Sequence, residues 1–186
     1  MVKLDRIYTR GGDGGETSLA DGTRVPKHSL RIVAQGEVDE ANAAVGLARL
    51  HHLSDGDGSL LAIVQNDLFD LGADITVPYV AGDGRLRIAA AQTAWLEGEI
   101  DRINQFLPPL TSFVLPGGSP LAAHLHLART VARRAERALA ALAAAEPVNP
   151  EALRYLNRLS DYLFVMAREA NNHGGTDIEW HPRSPR

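Results

Sequence analysis

The stretch SPLAAHLHLARTVARRAERALAALAAA, residues 119–145, predicts one long amphipathic helix and decides the fold class. Ser119 is a favourable N-cap, and Pro120 suits the first helical position. With roughly 100° of rotation per residue, most apolar side chains of this stretch fall on one arc. The arc consists of Leu121, Leu125, Ala128, Ala132, Ala135, Leu139 and Leu142. Such an arc predicts that the helix packs against other helices along its whole length.

A second arc of the same helix is polar and mainly cationic. It carries His126, Arg129, Arg133, Glu136 and Arg137. Like charges four residues apart on a helix repel each other, and one glutamate cannot neutralise the arginines around it. For an arbitrary helix, a solvated face is the more frequent interpretation. The alternative is an anion clamp, because guanidinium groups match the geometry of phosphate oxygens.

Apolar periodicity elsewhere predicts four more helices and hence an all-α fold. In the first of them, Val38, Ala41, Val45 and Ala48 recur at helical spacing. The predicted ranges are 31–53, 60–75 with an end near Pro78, 88–106, and 151–172. Their short connections predict a five-helix up-and-down antiparallel bundle. The proline-rich segment 107–120 interrupts the helices, and its centre, 112–115, is expected to be extended.

Length and composition narrow the class of protein. The chain has 186 residues, a net charge of −4 and no cysteine. We expect a single domain, with an N-terminal loop over 1–30, a helical bundle over 31–172 and a C-terminal tail over 173–186. The lack of a basic run disfavours nucleic-acid binding. No apolar run approaches the ~20 residues that span a bilayer, and no signal-peptide core is present, so we expect a cytoplasmic protein without membrane contacts.

Metal-ligand patterns are weak in this sequence. Without cysteine there are no disulfides, thiolate ligands or cysteine nucleophile. Asp67, Asp70 and Asp74 are expected to form a hydrated acidic face. An iron-carboxylate bundle would require Glu-x-x-His pairs, and the sequence has none. The seven histidines, among them His51, His52, His124 and His126, are interpreted as non-ligands. No protein metal centre is predicted.

The N-terminal stretch TRGGDGGETSL, residues 9–19, is rich in glycine and hydroxyl groups. Its free backbone N–H groups, together with Arg10, could form an anion-binding nest, and Lys27 follows closely. The alternative is a mobile leader without function. Neither the Gly-x-x-x-x-Gly-Lys-Ser/Thr loop nor the strand–Gly-x-Gly-x-x-Gly–helix unit occurs. A nucleotide would therefore be bound by a less common arrangement.

Two polar residues on other helices are candidates for the same site. On the last helix Leu156, Leu159, Leu163 and Met166 form a core stripe, and Asn157 lies off it beside Asp161. On the first helix, Asp39 is a natural partner for an arginine of another helix or another subunit. A structural amide and a solvated carboxylate are the simpler alternatives for these two residues.

Four sequence blocks resemble the PduO-type ATP:corrinoid adenosyltransferases. The blocks are YTRGGDGGETSLADGTRVPK, GEVDEANAAVG, SFVLPGGSPLAAHLHLARTVARRAERAL and YLNRLSDYLFVMAREAN. They cover close to half of the chain in the order of that family. The resemblance implies a five-helix bundle with a glycine-rich N-terminal nucleotide-binding loop, assembled as a homotrimer with active sites between subunits.

The resemblance also implies roles for individual residues. ATP would be held by Thr9, Arg10, Gly11, Gly12, Thr17, Ser18, Lys27, Arg133, Arg134, Glu136, Arg137 and Asn157. Catalytic roles are implied for Arg129, Arg133, Phe113 and Asp39, with Asp39 paired to Arg129 across the interface. Phe113 would face the corrinoid and displace its lower axial ligand. The chain departs from the family at Arg10, where lysine is common, and at Gly11, where threonine is frequent.

The implied reaction is attack of cobalt(I) on the 5′-carbon of ATP, which yields adenosylcobalamin and triphosphate. Mg²⁺ would accompany ATP, and cobalamin is the second substrate. A reductase and an adenosylcobalamin-dependent enzyme are the expected partners. Two alternatives remain at this stage. The bundle could be a non-catalytic ATP-binding sensor, or it could be a helical scaffold whose arginines are surface residues.

Overall fold

A computed structural model of the chain describes residues 7–51 and 55–182. For residues 55–59 it describes the backbone only. The two strands are β1 (Glu16–Ser18) and β2 (Arg24–Pro26). The helices are α1 (Leu30–Arg49), α2 (Asp55–Asp74), α3 (Ala90–Asn104), α4 (Pro120–Ala145) and α5 (Pro150–Ala170). The predicted all-α class and the order of the helices are confirmed, and α2 begins five residues before its predicted start at residue 60. The short sheet is an addition to the prediction.

Helix α4 lies at the centre of the bundle, packed against α1 on one side and α5 on the other. Its predicted apolar arc is buried except for Leu121, which is half-buried at the first turn. The buried side of α1 is rich in small residues, with Ala34, Ala41, Ala44 and Ala48 beside Val38 and Val45. Small side chains at this contact allow the two helix backbones to approach closely, while the larger leucines of α5 fill the remaining core.

The start of α4 forms as the sequence predicts. The Ser119 hydroxyl accepts a hydrogen bond from the backbone N–H of Ala122 at 3.1 Å. The same hydroxyl donates to the carbonyl of Ala170 at 3.0 Å, at the end of α5. A single side chain therefore caps one helix and joins it to the end of another.

The prediction of a hydrated acidic face on α2 is wrong for Asp67 and Asp74, which are both buried. Asp74 accepts hydrogen bonds from Arg87 at 2.7 Å, from the backbone N–H of Ile88 at 2.9 Å and from Asn149 at 2.7 Å. Gln92 donates to Asp67 at 2.8 Å. These partners come from segments that fold over α2, so the carboxylates exchange water for fixed donors.

We expect Asp74→Ala to lower the free energy of unfolding by about 3–5 kcal/mol, because it leaves the buried Asn149 amide and the Ile88 N–H without their acceptor and removes one of the two carboxylates that hold Arg87. Urea unfolding at neutral pH measures the change. Asp70→Ala is the matched control on the same helix and is expected to stay within about 0.5 kcal/mol of the parent. Equal losses for the two variants would contradict the role of Asp74 as a structural centre.

The proline-rich connection between α3 and α4 contains the predicted extended piece. Val114 forms an antiparallel bridge with Glu179 of the C-terminal tail. The backbone N–H of Leu115 donates to the carbonyl of Ile178, and that of Trp180 donates to the carbonyl of Phe113, both at 2.7 Å. The tail is therefore folded back along this connection, and we call residues 112–118 the strap.

Within residues 7–51 and 55–182, none of the helices combines the length and the apolarity that crossing a bilayer demands.

Candidate active site

The glycine-rich leader, residues 7–27, is a folded hairpin. β1 and β2 pair in antiparallel fashion with Thr17 opposite Val25. Arg24 donates to the carbonyl of Gly11 at 2.8 Å, and the backbone N–H of Lys27 donates to the carbonyl of Gly15 at 2.8 Å. A Cβ atom at Gly12 would lie 3.0 Å from the Lys27 ammonium nitrogen. Glycine at this position therefore lets a cation lie directly against the loop backbone.

The outer surface of the leader carries the groups that were predicted to bind phosphate. Thr9, Arg10, Ser18 and Lys27 are exposed, and Thr17 is half-buried in the hairpin. Arg10 has a left-handed backbone with φ +61°, and its guanidinium lies 5.7 Å from the centre of the Tyr8 ring. Among the described elements, β1 and β2 pack extensively only on each other. In a single chain the two strands of the hairpin therefore make no extensive contact with α4.

The arginines of α4 carry an excess of positive charge, and we call Arg129, Arg133 and Arg137 the cationic face. Arg133 is exposed and has no carboxylate partner in the part of the chain that the structure describes. Arg137 donates to the carbonyl of Arg133 at 3.1 Å. Burial lowers the pKa of Arg129, and the neighbouring Arg133 lowers it further. The face is therefore electrostatically unfavourable until an anion binds.

Glu136 and Asn157 border the cationic face. Asn157 on α5 donates to the Glu136 carboxylate at 2.9 Å. This contact joins two residues that were separately predicted to bind ATP. Because the carboxylate accepts from the amide, the Asn157 carbonyl oxygen stays available for a donor group of a ligand.

Arg134 has different surroundings from the other arginines of α4. It pairs with Glu37, at 2.5 Å, and with Glu40, both on α1. Hydrogen bonds to these two glutamates raise the pKa of Arg134. Its predicted contact with ATP stays a prediction, and it would require the guanidinium to exchange at least one of these partners.

A second feature adjoins the cationic face. A cavity of about 610 Å³ is lined by aromatic side chains, with Phe113 of the strap, Phe164 of α5 and Trp180 of the tail at its walls. We call it the aromatic pocket. The Phe113 and Trp180 rings meet edge to face with centroids 6.0 Å apart, and Phe113 is 78% exposed. Exposed aromatic side chains that line a cavity are typical of surfaces that bind apolar ligands.

Arg129 belongs to both features. Its guanidinium lies 6.0 Å from the centre of the Phe164 ring, inside the lining of the aromatic pocket. Its Nε atom is buried without a hydrogen-bond partner among the described residues. Arg133 follows one helical turn later. An anion on the cationic face and an apolar ligand in the aromatic pocket would therefore be close neighbours, as two reacting substrates must be.

Asp39 lies elsewhere in the chain, at the exposed side of α1. It lines a groove of about 520 Å³ between α1 and α2, together with Gly36, Phe69 and Gly72. The Phe69 ring is 74% exposed there. Arg129 is not part of this groove, so the predicted Asp39–Arg129 pair stays a prediction that requires a second copy of the chain.

The helical wheel placed His126 on the polar arc of α4. This prediction is wrong, because the side chain is buried. Its ring lies 6.1 Å from that of Phe164, and both ring nitrogens lack a hydrogen-bond partner among the described residues. Phe164 and α5 cover this side of α4, which a wheel of one helix cannot reveal. Burial lowers the pKa of His126, Arg129 lowers it further, and Asp177 acts in the opposite direction.

This environment predicts a pH dependence of stability. A histidine whose pKa is lowered by folding binds fewer protons in the folded chain, so stability falls as the pH drops below about 6.5. We expect His126→Leu to lose less of its melting temperature between about pH 7 and about pH 5 than the parent does. His28→Leu, at an exposed position, serves as the control. Parallel pH profiles for all three proteins would contradict the prediction.

These residues define a helical bundle whose aromatic pocket borders a cationic face. Comparison with known proteins agrees with this class. The family profile described as cobalamin adenosyltransferase matches residues 7–170. The corrinoid adenosyltransferase of Mycobacterium tuberculosis is 50% identical over 190 residues, covering 100% of this chain and 97% of the relative. The cobalamin adenosyltransferase of Cupriavidus metallidurans is 48% identical over 180 residues, covering 96% and 95%.

A solved structure is similar as well. It is a phenylalanine-to-alanine variant of the PduO-type ATP:corrinoid adenosyltransferase from Lactobacillus reuteri, complexed with cobalamin and ATP. It superposes with a TM-score of 0.89 at 37% identity and covers 95% of this chain and 100% of that one. The chain belongs to the cobalamin adenosyltransferase family. The resemblance inferred from four sequence blocks is thereby confirmed.

Proposed function

We propose that the chain transfers the 5′-deoxyadenosyl group of ATP to cob(I)alamin, with release of triphosphate, through the residues described above. The observation that carries the assignment of the site is the position of Arg129. It is shared by the unpaired cationic face and the aromatic pocket. Relatives and a solved neighbour named for this activity support the reaction.

In this reaction the cobalt(I) electron pair forms a bond to the 5′-carbon of ATP. The bond between that carbon and the α-phosphate oxygen breaks, and the electrons leave with the triphosphate. The nucleophile is the metal of the substrate, so no protein nucleophile or general base is needed. The chain has to align the two substrates and stabilise the charge that develops on the leaving group.

The cationic face provides that stabilisation. Arg133 and Arg137 are exposed and have spare donors, and the desolvated Arg129 has a further donor at Nε. Guanidinium groups bind phosphate oxygens through paired hydrogen bonds, which strengthen as the oxygens gain charge. Relief of the repulsion within the face adds to the binding of a polyanion. The leader residues Arg10 and Lys27 would complete the enclosure.

Phe113 acts on the other substrate. Its exposed ring would lie under the corrin and exclude water and the lower axial base from cobalt. Removal of an axial donor makes cobalt(II) easier to reduce, and this reduction is the difficult step before transfer. The edge-to-face contact with Trp180 supports the ring in this orientation.

The enzyme would act as a homotrimer with its sites between subunits. Two features support this part of the proposal. The leader is folded without extensive packing on the helices, and the groove beside Asp39 exposes Phe69. A neighbouring copy that covers this groove would bring its own α4 close to Asp39 and to the leader. The phosphate-binding groups would then come from two chains.

We expect Phe69→Glu to shift the protein from trimer to monomer and to abolish most of the activity, because a carboxylate cannot be buried in an apolar interface. Sedimentation velocity measures the assembly. Leu86→Glu is the control, since Leu86 is an exposed leucine of a loop outside the groove. A trimeric and active Phe69→Glu protein would rule out this groove as the interface.

Mg²⁺ would enter with ATP. Within the described residues no group of three or more histidine, aspartate or glutamate side chains could hold a metal ion. The ion would therefore take its ligands mainly from phosphate oxygens and water, which Mg²⁺ prefers. When bound, the ion would neutralise part of the triphosphate charge, and Glu136 is the carboxylate nearest to the cationic face in sequence.

We propose a single domain composed of a leader over 1–30, a bundle over 31–172 and a tail over 173–186. A reaction that consumes ATP and a cobalt(I) nucleophile fits the reducing cytoplasm. The proposed partners are a reductase that supplies electrons to cobalt and an adenosylcobalamin-dependent enzyme that takes the product.

The test is incubation of the protein with ATP, Mg²⁺ and chemically reduced cobalamin, followed by absorbance spectra and by assay of triphosphate. The proposal predicts adenosylcobalamin and triphosphate in equal amounts. Binding of ATP without either product would favour a nucleotide sensor. Absence of any ATP-dependent thermal stabilisation would favour a scaffold, and both results would overturn the proposal.

A further inference from the structure

The segment after α5 completes the aromatic pocket, although the family profile ends at residue 170. Trp180 forms one wall of the pocket and supports Phe113. The strap and the tail are joined by the β-bridge at Val114 and Glu179 and by the Ser112 hydroxyl, which donates to the carbonyl of Trp180 at 2.9 Å. Two short segments paired in this way are marginally stable on their own. Their position must therefore be fixed by other contacts.

A buried polar group holds the tail, and we call Arg168, Asn171 and Asp177 the clasp. Arg168 donates from Nε to Asp177 at 2.8 Å, and both side chains are at most 6% exposed. Arg168 also donates to the carbonyl of Pro108 at 2.8 Å. Asn171 donates to the second carboxylate oxygen of Asp177 at 3.1 Å. Both oxygens of Asp177 are thus fixed to α5 and its end.

The same clasp holds the strap. The Asn171 side-chain oxygen accepts from the backbone N–H of Ser119 at 2.9 Å, and its nitrogen donates to the carbonyl of Gly117 at 3.2 Å. Gly118 has φ +105°, and a Cβ atom there would lie 2.1 Å from the Asn171 side-chain oxygen. Only glycine permits this approach. Asn171 therefore contacts the strap and the tail at once.

The chain reverses its direction sharply between Asn171 and Asp177. Asn172, His173 and Gly174 all have left-handed backbones, with φ of 53°, 53° and 82°. Left-handed conformations at the two non-glycine residues cost free energy and persist only where surrounding contacts enforce them. Backbone hydrogen bonds from His173 to Glu169 at 3.0 Å and from Gly174 to Arg168 at 2.8 Å hold this reversal, and the Asp177 contacts fix the segment that follows it to α5. Trp180, three residues after Asp177, lines the aromatic pocket.

We propose that Asp177, held by Arg168 and Asn171, is a positioning residue for the corrinoid site. It sets the tail against the strap and thereby fixes the Phe113–Trp180 pair. The inference rests on the proposed function for the identity of the ligand, and on geometry alone for the position of the rings. Asp177 contacts no substrate in this account, so its effect reaches the reaction through the two aromatic rings.

The first experiment needs no ligand. The sequence contains two tryptophans, so a Trp95→Phe background leaves Trp180 as the sole indole. In that background, Asp177→Ala should shift the Trp180 emission to longer wavelength and increase its quenching by acrylamide about twofold, because the ring loses its support. Asp177→Asn should give a smaller change. Glu179→Ala, an exposed acid of the same segment, should match the parent.

The second experiment measures the reaction. We expect Asp177→Ala to raise the corrinoid KM about tenfold, since a displaced aromatic wall no longer positions the ligand. The KM for ATP should stay within about twofold of the parent. The share of cobalt(II) that loses its axial base in the presence of ATP, read by electron paramagnetic resonance, should fall in the order parent, Asp177→Asn, Asp177→Ala.

The proposal is overturned if Asp177→Ala and Asp177→Asn match Glu179→Ala in quenching and in corrinoid KM. It is also overturned if the KM values for ATP and corrinoid rise together, which would indicate general damage to the bundle. If circular dichroism shows that Asp177→Ala does not fold, the same measurements on Asp177→Asn decide the question. A parent without adenosylation activity would refute the proposed function, while the Trp180 quenching would still decide whether the clasp holds the tail.

Discussion

Arg133→Ala is expected to raise the KM for ATP by about 10- to 100-fold, as loss of a hydrogen bond to a charged group implies. Arg133 has no carboxylate partner among the described residues and follows Arg129 by one helical turn. Its removal also relieves repulsion within the cationic face, so the melting temperature should be unchanged or slightly higher. A lower affinity for ATP with an unchanged melting temperature is the result expected of a side chain that binds an anion and does not stabilise the fold.

Two further variants sharpen this experiment. Arg133→Lys keeps the charge and loses the planar fork, so its KM for ATP should fall between those of the parent and Arg133→Ala. Arg154→Ala is the control, because Arg154 is an exposed arginine of α5 paired with Glu151 in its own helix. Unchanged kinetics in Arg133→Ala would mean that the cationic face is ordinary surface.

Phe113→Ala is expected to retain ATP binding and to slow adenosylation at least tenfold, about 1.4 kcal/mol of barrier, when cobalt(II) must be reduced in place. The exposed ring has no structural duty in the core, so stability should change little. With cobalt(I) prepared chemically before mixing, the loss of rate should be smaller. This difference between the two assays separates an effect on reduction from an effect on transfer.

Phe106→Ala provides the control for aromatic surface area. Phe106 is 65% exposed after α3 and lies outside the lining of the aromatic pocket. Its variant should match the parent in both assays. Equal rates for parent and Phe113→Ala under in-place reduction would remove Phe113 from the mechanism.

The bundle was predictable because its signals are local. The apolar arc of α4, the cap at Ser119 and the prolines at helix starts each act within a few residues of sequence. The leader hairpin carried a local signal too, the Asp21-Gly22 turn, which favours a hairpin. Gly22 has φ +87°, as such a turn requires. The three-residue strands beside it were too short to stand out by alternation.

Burial of polar groups was not predictable in the same way. Asp74 is satisfied by Asn149, 75 residues along the chain, and His126 is covered by Phe164 of another helix. Single-helix periodicity assigns such residues to a polar face because it contains no information about partners. The role of Trp180 depends likewise on the fold-back of the tail onto the strap. Its only sequence signal is an aromatic residue in a short and mostly polar segment.

Site prediction depended on family resemblance more than on pattern. Arg129, Arg133 and Arg137 were singled out by charge alone, and within the described residues Arg133 has no carboxylate partner, whereas Arg134, which only the resemblance named, pairs with two glutamates. The leader and Asp39 were connected to them only by the resemblance. In a single chain the hairpin strands make no extensive contact with α4, and the groove beside Asp39 includes no residue of the cationic face.

The central claim is that one active site is built from the leader of one copy and α4 of another. Mixing two inactive variants tests it most directly. One variant is Arg10→Ala/Lys27→Ala in the leader, and the other is Arg133→Ala in α4. After joint unfolding and refolding at equal amounts, random trimers restore an intact site at about a quarter of the interfaces, and activity should recover to that level. Activity of the mixture no greater than the mean of the two variants alone would contradict the claim.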